Sequence, residues 1–242
     1  MTDWVPSWLA RQYVLLLTRF WTRVFTVSEA LEAGVANPRT VLSRLAGRGW
    51  VERLGRGEYR TVHPLAVFSD ASLGWRARVR QRVYLPMLEF VLARLWEGFG
   101  ERLRTVLLFG SVARGEARDE SDIDLLVVAD GMRPRYGDRV REVLDMLEGW
   151  EGVKRSLGER FGVHPNLDLL LLDVMEVDIS HPFYFDIVQE GVLLFDKAGF
   201  MAERLERLRA WMERVGAQRV QLPGGKWYWL VPQTVEDVST RT

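Results

Sequence analysis

The chain has 242 residues, 48% of them hydrophobic and 27% charged, with 33 basic and 33 acidic side chains and no cysteine. That apolar content excludes a disordered chain. The missing cysteine excludes disulfide frameworks, thiolate zinc sites and cysteine nucleophiles together. Net zero conceals two unlike parts: residues 1–82 hold 13 Arg against 6 acids, and the remainder holds 20 basic against 27 acidic residues. The first part is therefore the candidate for a polyanionic partner. The N-terminal apolar run is shorter than the ~20 residues that span a bilayer and has neither a basic leader nor a cleavage site. The chain reads as soluble and cytoplasmic, with no membrane partner.

In chain order, Leu9, Tyr13, Leu16, Leu17, Phe20 and Trp21 recur at helical spacing and predict a helix over 8–25. Ser28 is the expected cap of a short helix ended by Gly34. Asn37 and Pro38 open a third helix, with Val41, Leu42 and Leu45 inward and Arg39, Arg44 and Arg48 on a basic face. WVERLGRGEYRTV then reads as a hairpin hinged at Gly55-Arg56-Gly57, with Arg53, Arg56 and Arg60 on it. Three helices and a hairpin make a winged helix-turn-helix, a fold that sets its third helix in the major groove of duplex DNA and its wing on the backbone. Arg39, Arg44, Arg48 and Arg56 are the candidate DNA contacts, although such modules also bind proteins.

The expected division is a winged-helix domain over 1–65, a linker over 66–75 placed by HPLAVFSDASLG (63–74), which Pro, Ser, Asp and Gly punctuate, and a second domain over 76–242. A helical pattern covers 75–98, kinked or divided at Pro86. Strands at 104–109, 123–129, 167–173 and 192–195 then alternate with helices from 111, over 138–160, over 182–190 and over 198–215. This order predicts an α/β (α+β) domain with a mixed sheet flanked by helices. RVQLPGGKWYWLVP closes the pattern as a hairpin turning at Gly224-Gly225. Trp227 and Trp229 share one of its faces, read more readily as core or subunit contact than as a platform for a base.

Chemistry concentrates in LLFGSVARGEARDESDIDLLVV, residues 107–128. A strand ends at Phe109, and Gly110 with Ser111 turns into a helix whose free amides and hydroxyl suit a phosphate. Asp122 and Asp124, two apart at the head of a strand, point to one face. Converging carboxylates of this kind suit Mg²⁺, or Mn²⁺ in its place. Asp168 begins a second apolar strand and can join them; Asp173, on the opposite face, is the second choice. Arg114, one helical turn past Ser111, can reach a triphosphate or pair with Glu116, Asp119 or Glu120. The three histidines each precede proline and form no metal pattern.

Gly110-Ser111, Arg114-Gly115 and Ser121-Asp122-Ile123-Asp124 resemble the motif of the minimal nucleotidyltransferases, an archaeal and bacterial branch of the DNA polymerase β superfamily. The resemblance extends from about residue 84 to the C-terminus, through FDIVQEGVLLFD and KWYWLVP. It implies that Asp122 and Asp124 bind both metals of a two-metal site, that Asp168 binds one, and that Gly110, Ser111, Ser121 and Arg114 bind the nucleotide. It implies transfer of NMP from an NTP, with ATP the expected donor, to a protein or RNA hydroxyl. Members of the family are paired with small helical HEPN toxins, which some silence by adenylylating a tyrosine, while others modify tRNA ends. A fused winged helix would suit an antitoxin that represses its own operon. The alternative is a DNA-binding regulator whose nucleotidyltransferase fold senses nucleotide or binds a partner. Small-molecule nucleotidylation shares the motif but gains nothing from the winged helix. The sequence also allows a homodimer.

Overall fold

Leu9, Tyr13, Leu16 and Phe20 form the buried stripe of the first helix, α1 (Ser7–Phe20), in the computed structural model, which describes residues 5–21, 23–223 and 227–232. The helix stops earlier than its apolar spacing suggests, because Phe25–Thr26 forms a short strand, β1. Thr26, and not Ser28, caps α2 (Val27–Glu32). Its hydroxyl accepts the Glu29 amide at 3.3 Å while the Glu29 carboxylate accepts the Thr26 amide at 2.8 Å. Thr26 has a Glu three residues ahead and Ser28 does not, so only at Thr26 can both open amides be satisfied at once. Asn37 does precede α3 (Pro38–Ala46), but in a left-handed conformation and with no side-chain cap bond.

β2 (Val51–Gly55) and β3 (Glu58–Thr61) form the hairpin, and β1 completes a three-stranded sheet in the order β1-β3-β2. Helix–helix–helix–hairpin is the winged-helix arrangement expected. Arg39, Arg44, Arg48, Arg53 and Arg56 are exposed. Arg60 is not: it is 4% exposed and ion-paired to Glu89 at 2.5 Å and to Glu52, so it belongs to the interior and not to a basic wing.

The stretch expected as a linker is helical. Pro64 occupies the first turn of α4 (Pro64–Leu73), where a missing amide costs nothing, and the His63 imidazole caps it by accepting the Leu65 amide at 3.3 Å. Trp75 opens α5 (Trp75–Arg78), is fully buried, and donates its indole N–H to Ser69 at 3.0 Å. Pro86 likewise stands in the first turn of α6 (Leu85–Phe99), which it starts and does not kink.

The second part holds β4 (Leu103–Phe109), α7 (Gly110–Arg114), β5 (Ile123–Ala129), α8 (Tyr136–Met146), α9 (Trp150–Phe161), β6 (Leu167–Asp173), α10 (Phe183–Glu190), β7 (Val192–Asp196) and α11 (Ala202–Arg214). Gly149, at φ +94°, breaks the single helix expected over 138–160 into α8 and α9. The sheet runs β6-β5-β4-β7, with β5 and β6 parallel and the other pairs antiparallel, which makes it mixed as expected. One face packs on α6 in a core continuous with the winged helix, and the other packs on α10 and α11. A final ribbon of β8 (Gln218–Gln221) and β9 (Trp227–Leu230) pairs antiparallel. The expected turn at Gly224-Gly225 lies outside the described residues. Among the described residues no helix is long and apolar enough to cross a membrane.

Candidate active site

The parallel register of β5 and β6 sets Asp124 directly beside Asp168. Neighbouring strands lie about 4.8 Å apart, so the two carboxylates rise from one edge. Asp124 shares the face of Leu126 and Val128, which packs toward α10 and α11, and Asp122, in the loop just before β5, is near enough for its charge to act on the Asp124 carboxyl. Asp173 pairs with Ala129 at the far end of the same strands, about 17 Å along β6 from Asp168. There its carboxylate accepts the Met132 and Met175 amides at 2.8 and 3.0 Å, a structural task away from the edge.

Gly110 shapes the other wall. Its φ is +70°, and a Cβ built on it would stand 1.9 Å from an Asp124 carboxylate oxygen. Glycine is therefore required twice, for its backbone angle and for the space Asp124 occupies. Ser111 follows in the first turn of α7, half-buried, with the open amides of the helix start around it.

The loop between α7 and β5 is clamped from behind. Gln81 donates to the Ala117 carbonyl at 2.8 Å and accepts the Ala117 amide at 3.0 Å, and the Tyr84 hydroxyl donates to the Arg118 carbonyl at 3.2 Å. Ser121 accepts the Arg118 amide at 2.8 Å, so in this structure its hydroxyl closes the turn that delivers Asp122. Nothing in the sequence motif singles out Gln81 or Tyr84; their only signal is polar atoms next to an apolar helix start.

Burial, then the charges of Asp168 and Asp122, push the Asp124 carboxyl up to about 6, against the opposing pull of Arg114. Arg114 displays the ion-pairing alternative: its guanidinium bonds Glu116 at 2.8 Å, as the sequence allows, and also Glu190 at 2.9 Å, which no local spacing points to. Trp227 and Trp229 both donate indole N–H to Asp186, at 2.9 and 3.0 Å, and hook the ribbon to α10. Arg219 and Arg114 lie over the Trp227 ring at 3.8 and 5.2 Å from its centroid, so a stacked base would have to displace a guanidinium.

Among the described residues no three carboxylates or imidazoles already stand at ligating distance, so the triad is an open edge and not a closed cage. Its donors nevertheless fit a hard divalent cation: all are oxygens, and the like-charge repulsion felt at Asp124 is what a cation between them relieves.

Residues 99–199 match the family model described as polymerase beta, nucleotidyltransferase, and residues 15–62 match that of a transcriptional regulator, AbiEi antitoxin. A Methanocaldococcus jannaschii protein named as a candidate protein adenylyltransferase, MJ1305, is 28% identical over 131 residues, covering 53% of this chain and 83% of that protein. Two crystal structures overlap it at a TM-score of 0.29. One, of a nucleotidyltransferase candidate from Sulfolobus solfataricus, is 23% identical over 60% of this chain and 94% of its own. The other, of a toxin-antitoxin with AMP-PNP, is 18% identical over 52% of this chain and 90% of its own.

Proposed function

We propose that this chain, whose residues 99–199 make it a nucleotidyltransferase of the polymerase β family, moves AMP from ATP onto a hydroxyl of a partner protein and acts as the antitoxin of a HEPN-type toxin. The observation that carries the reading is the edge of Asp122, Asp124 and Asp168 set against the Gly110-Ser111 turn.

In this reading the amides at the start of α7 and the Ser111 hydroxyl hold the triphosphate, with Arg114 beside them. Asp122, Asp124 and Asp168 would hold Mg²⁺, or Mn²⁺. When bound, the cations lower the pKa of the acceptor hydroxyl and neutralise the departing pyrophosphate. The acceptor oxygen bonds to the α-phosphorus, the bond to pyrophosphate breaks, and the hydroxyl proton leaves to solvent. No histidine or cysteine nucleophile is needed.

A protein acceptor is favoured over RNA because residues 83–242 are net acidic, which opposes a phosphate backbone. The Methanocaldococcus relative, named as a candidate protein adenylyltransferase, supports the same order. Where the neighbouring reading frame encodes a small helical protein, incubating the chain with ATP, Mg²⁺ and that product should raise the product's mass by one AMP. An unmodified product, with labelled AMP entering tRNA instead, would reverse the order of acceptors.

The regulator reading is supported by a separate observation. Arg39, Arg44 and Arg48 all stand exposed along α3 and its end and Arg56 on the wing, within the region that matches a transcriptional regulator. The two readings are compatible in one antitoxin. Full-length protein should retard duplex DNA at low salt, and Arg44→Ala with Arg48→Ala should flatten the salt slope by about 1 for each phosphate no longer neutralised. No retardation at low salt would assign the winged helix to protein contacts.

A further inference from the structure

Glu190 ends α10 with its side chain 9% exposed, and it holds two arginines that arrive from different elements. One carboxylate oxygen meets Arg114 of α7 at 2.9 Å, and the other meets Arg219 of β8 at 2.5 Å. Both guanidinia lie over the same indole, that of Trp227 on β9, which Asp186 fixes through its N–H. Glu116 takes the Arg114 Nε at 2.8 Å and leaves that side chain little rotational freedom. Arg114 in turn supplies the positive charge that opposes Asp168 and Asp122 at Asp124. The ribbon β8–β9 lies beyond residues 99–199, the part that matches the nucleotidyltransferase family, yet it is bolted to the helix that starts at the Gly110-Ser111 turn.

We propose that Glu190 is a positioning residue for the nucleotide: by clamping Arg114 and Arg219 against Trp227, it fixes the Arg114 guanidinium where the triphosphate lies. The proposal rests on the nucleotide site described above. A buried carboxylate beside a polyphosphate site is otherwise unfavourable, since its charge repels the ligand across a medium that screens poorly. Its place is explained if orienting Arg114 is worth more to binding than that repulsion takes away. Arg side chains carry large rotamer entropy, and fixing one in advance removes that loss from the binding step.

Charge and position predict opposite signs for the effect of Glu190 on nucleotide binding. Full-length wild type, Glu190→Gln, Arg114→Gln and the double variant are titrated calorimetrically with a non-hydrolysable ATP analogue and Mg²⁺. The titration stoichiometry reports the folded fraction, so Kd is read from folded molecules alone. Loss of a negative charge by itself would tighten binding. Loss of positioning should weaken it, and we expect about a tenfold higher Kd for Glu190→Gln. Because Glu190 acts through Arg114, the double variant should bind no more weakly than Arg114→Gln. Arg219→Gln, which leaves the Glu190–Arg114 contact in place, should weaken binding about threefold and stands in if Glu190→Gln does not fold. An unchanged or lower Kd in Glu190→Gln, or a full additional weakening in the double variant, would overturn the proposal. Wild type that binds no analogue would overturn the nucleotide site, and this proposal with it.

Discussion

Asp124→Asn is expected to abolish nucleotide transfer while leaving the fold intact and, in the absence of metal at neutral pH, more stable. Asparagine keeps the shape that packs against Gly110 but removes the charge that a cation needs. Even residues that only orient a metal's ligands are worth about 10–100-fold in affinity or activity, so a ligand itself should be worth more than about 100-fold. The stability gain follows from the sign of the shift. Burial and two neighbouring aspartates raise the Asp124 carboxyl from 3.8 to about 6 in the folded chain. The folded state then binds its proton more readily than the unfolded state does, and the group's contribution turns unfavourable as pH rises through that interval. Above it, metal-free wild type carries the full cost of a buried Asp124 charge beside two aspartates, and Asp124→Asn carries none of that cost. Thermal melting of both proteins in chelator at about pH 3 and about pH 8, on either side of that interval, should show a gap that opens only at the higher pH. Mg²⁺ should then close it by stabilising wild type alone. Transfer that survives in Asp124→Asn would remove the aspartate edge from the reaction.

How much of the fold is legible in the sequence depends on how local the determinant is. β5 and β6 are continuous apolar runs with acids at their heads, a pattern that marks each as a strand before its partner is known, although β6, at the sheet edge, is only half-buried. The motif places Gly110, Ser111, Asp122 and Asp124 because a turn and a strand head are close together in the chain. That Asp168 stands beside Asp124 depends on register, which only the folded sheet supplies. Proline misleads twice for one physical reason. Pro64 and Pro86 look like interruptions in the sequence, yet each sits where a helix has no use for an amide. Arg114 reaches Glu190 across 76 residues and Gln81 reaches Ala117 across 36, and no window of sequence contains both ends of such contacts. Glu89 does carry a signal, a lone acid in LPMLEFVLARL, where every neighbour is apolar or faces elsewhere. A carboxylate in such a run has to find a buried cation.

That cation makes the second large effect. Glu89 is 3% exposed and accepts Arg60 from the winged helix at 2.5 and 3.0 Å, while Arg76 pairs with it at 3.0 Å and Glu52 draws Arg60, Arg76 and Arg82 together. Arg60 is itself nearly inaccessible, and although burial works against its charge, Glu89 and Glu52 outweigh it and hold the guanidinium protonated. Glu89→Gln leaves that charge buried with half its compensation, and breaking a buried pair from one side costs about 3–5 kcal/mol. Against a total stability of about 5–15 kcal/mol this should move the denaturation midpoint plainly. Replacing both partners with apolar residues, Arg60→Met with Glu89→Leu, should be less harmful than the sum of the two single changes, because neither then strands a charge. Acid should act on the same junction. Burial favours a neutral Glu52, but Arg60, Arg82 and Arg76 outweigh it and hold its carboxyl below the usual range. Its stabilisation is therefore full above the ordinary glutamate pKa and is lost as pH falls through its depressed value. Denaturation of wild type and Glu89→Gln at neutral pH measures the buried pair directly. A shift below about 0.5 kcal/mol, the value of a surface site, would mean that Arg60 is satisfied without Glu89 and that the winged helix is held to α6 by its apolar contacts alone.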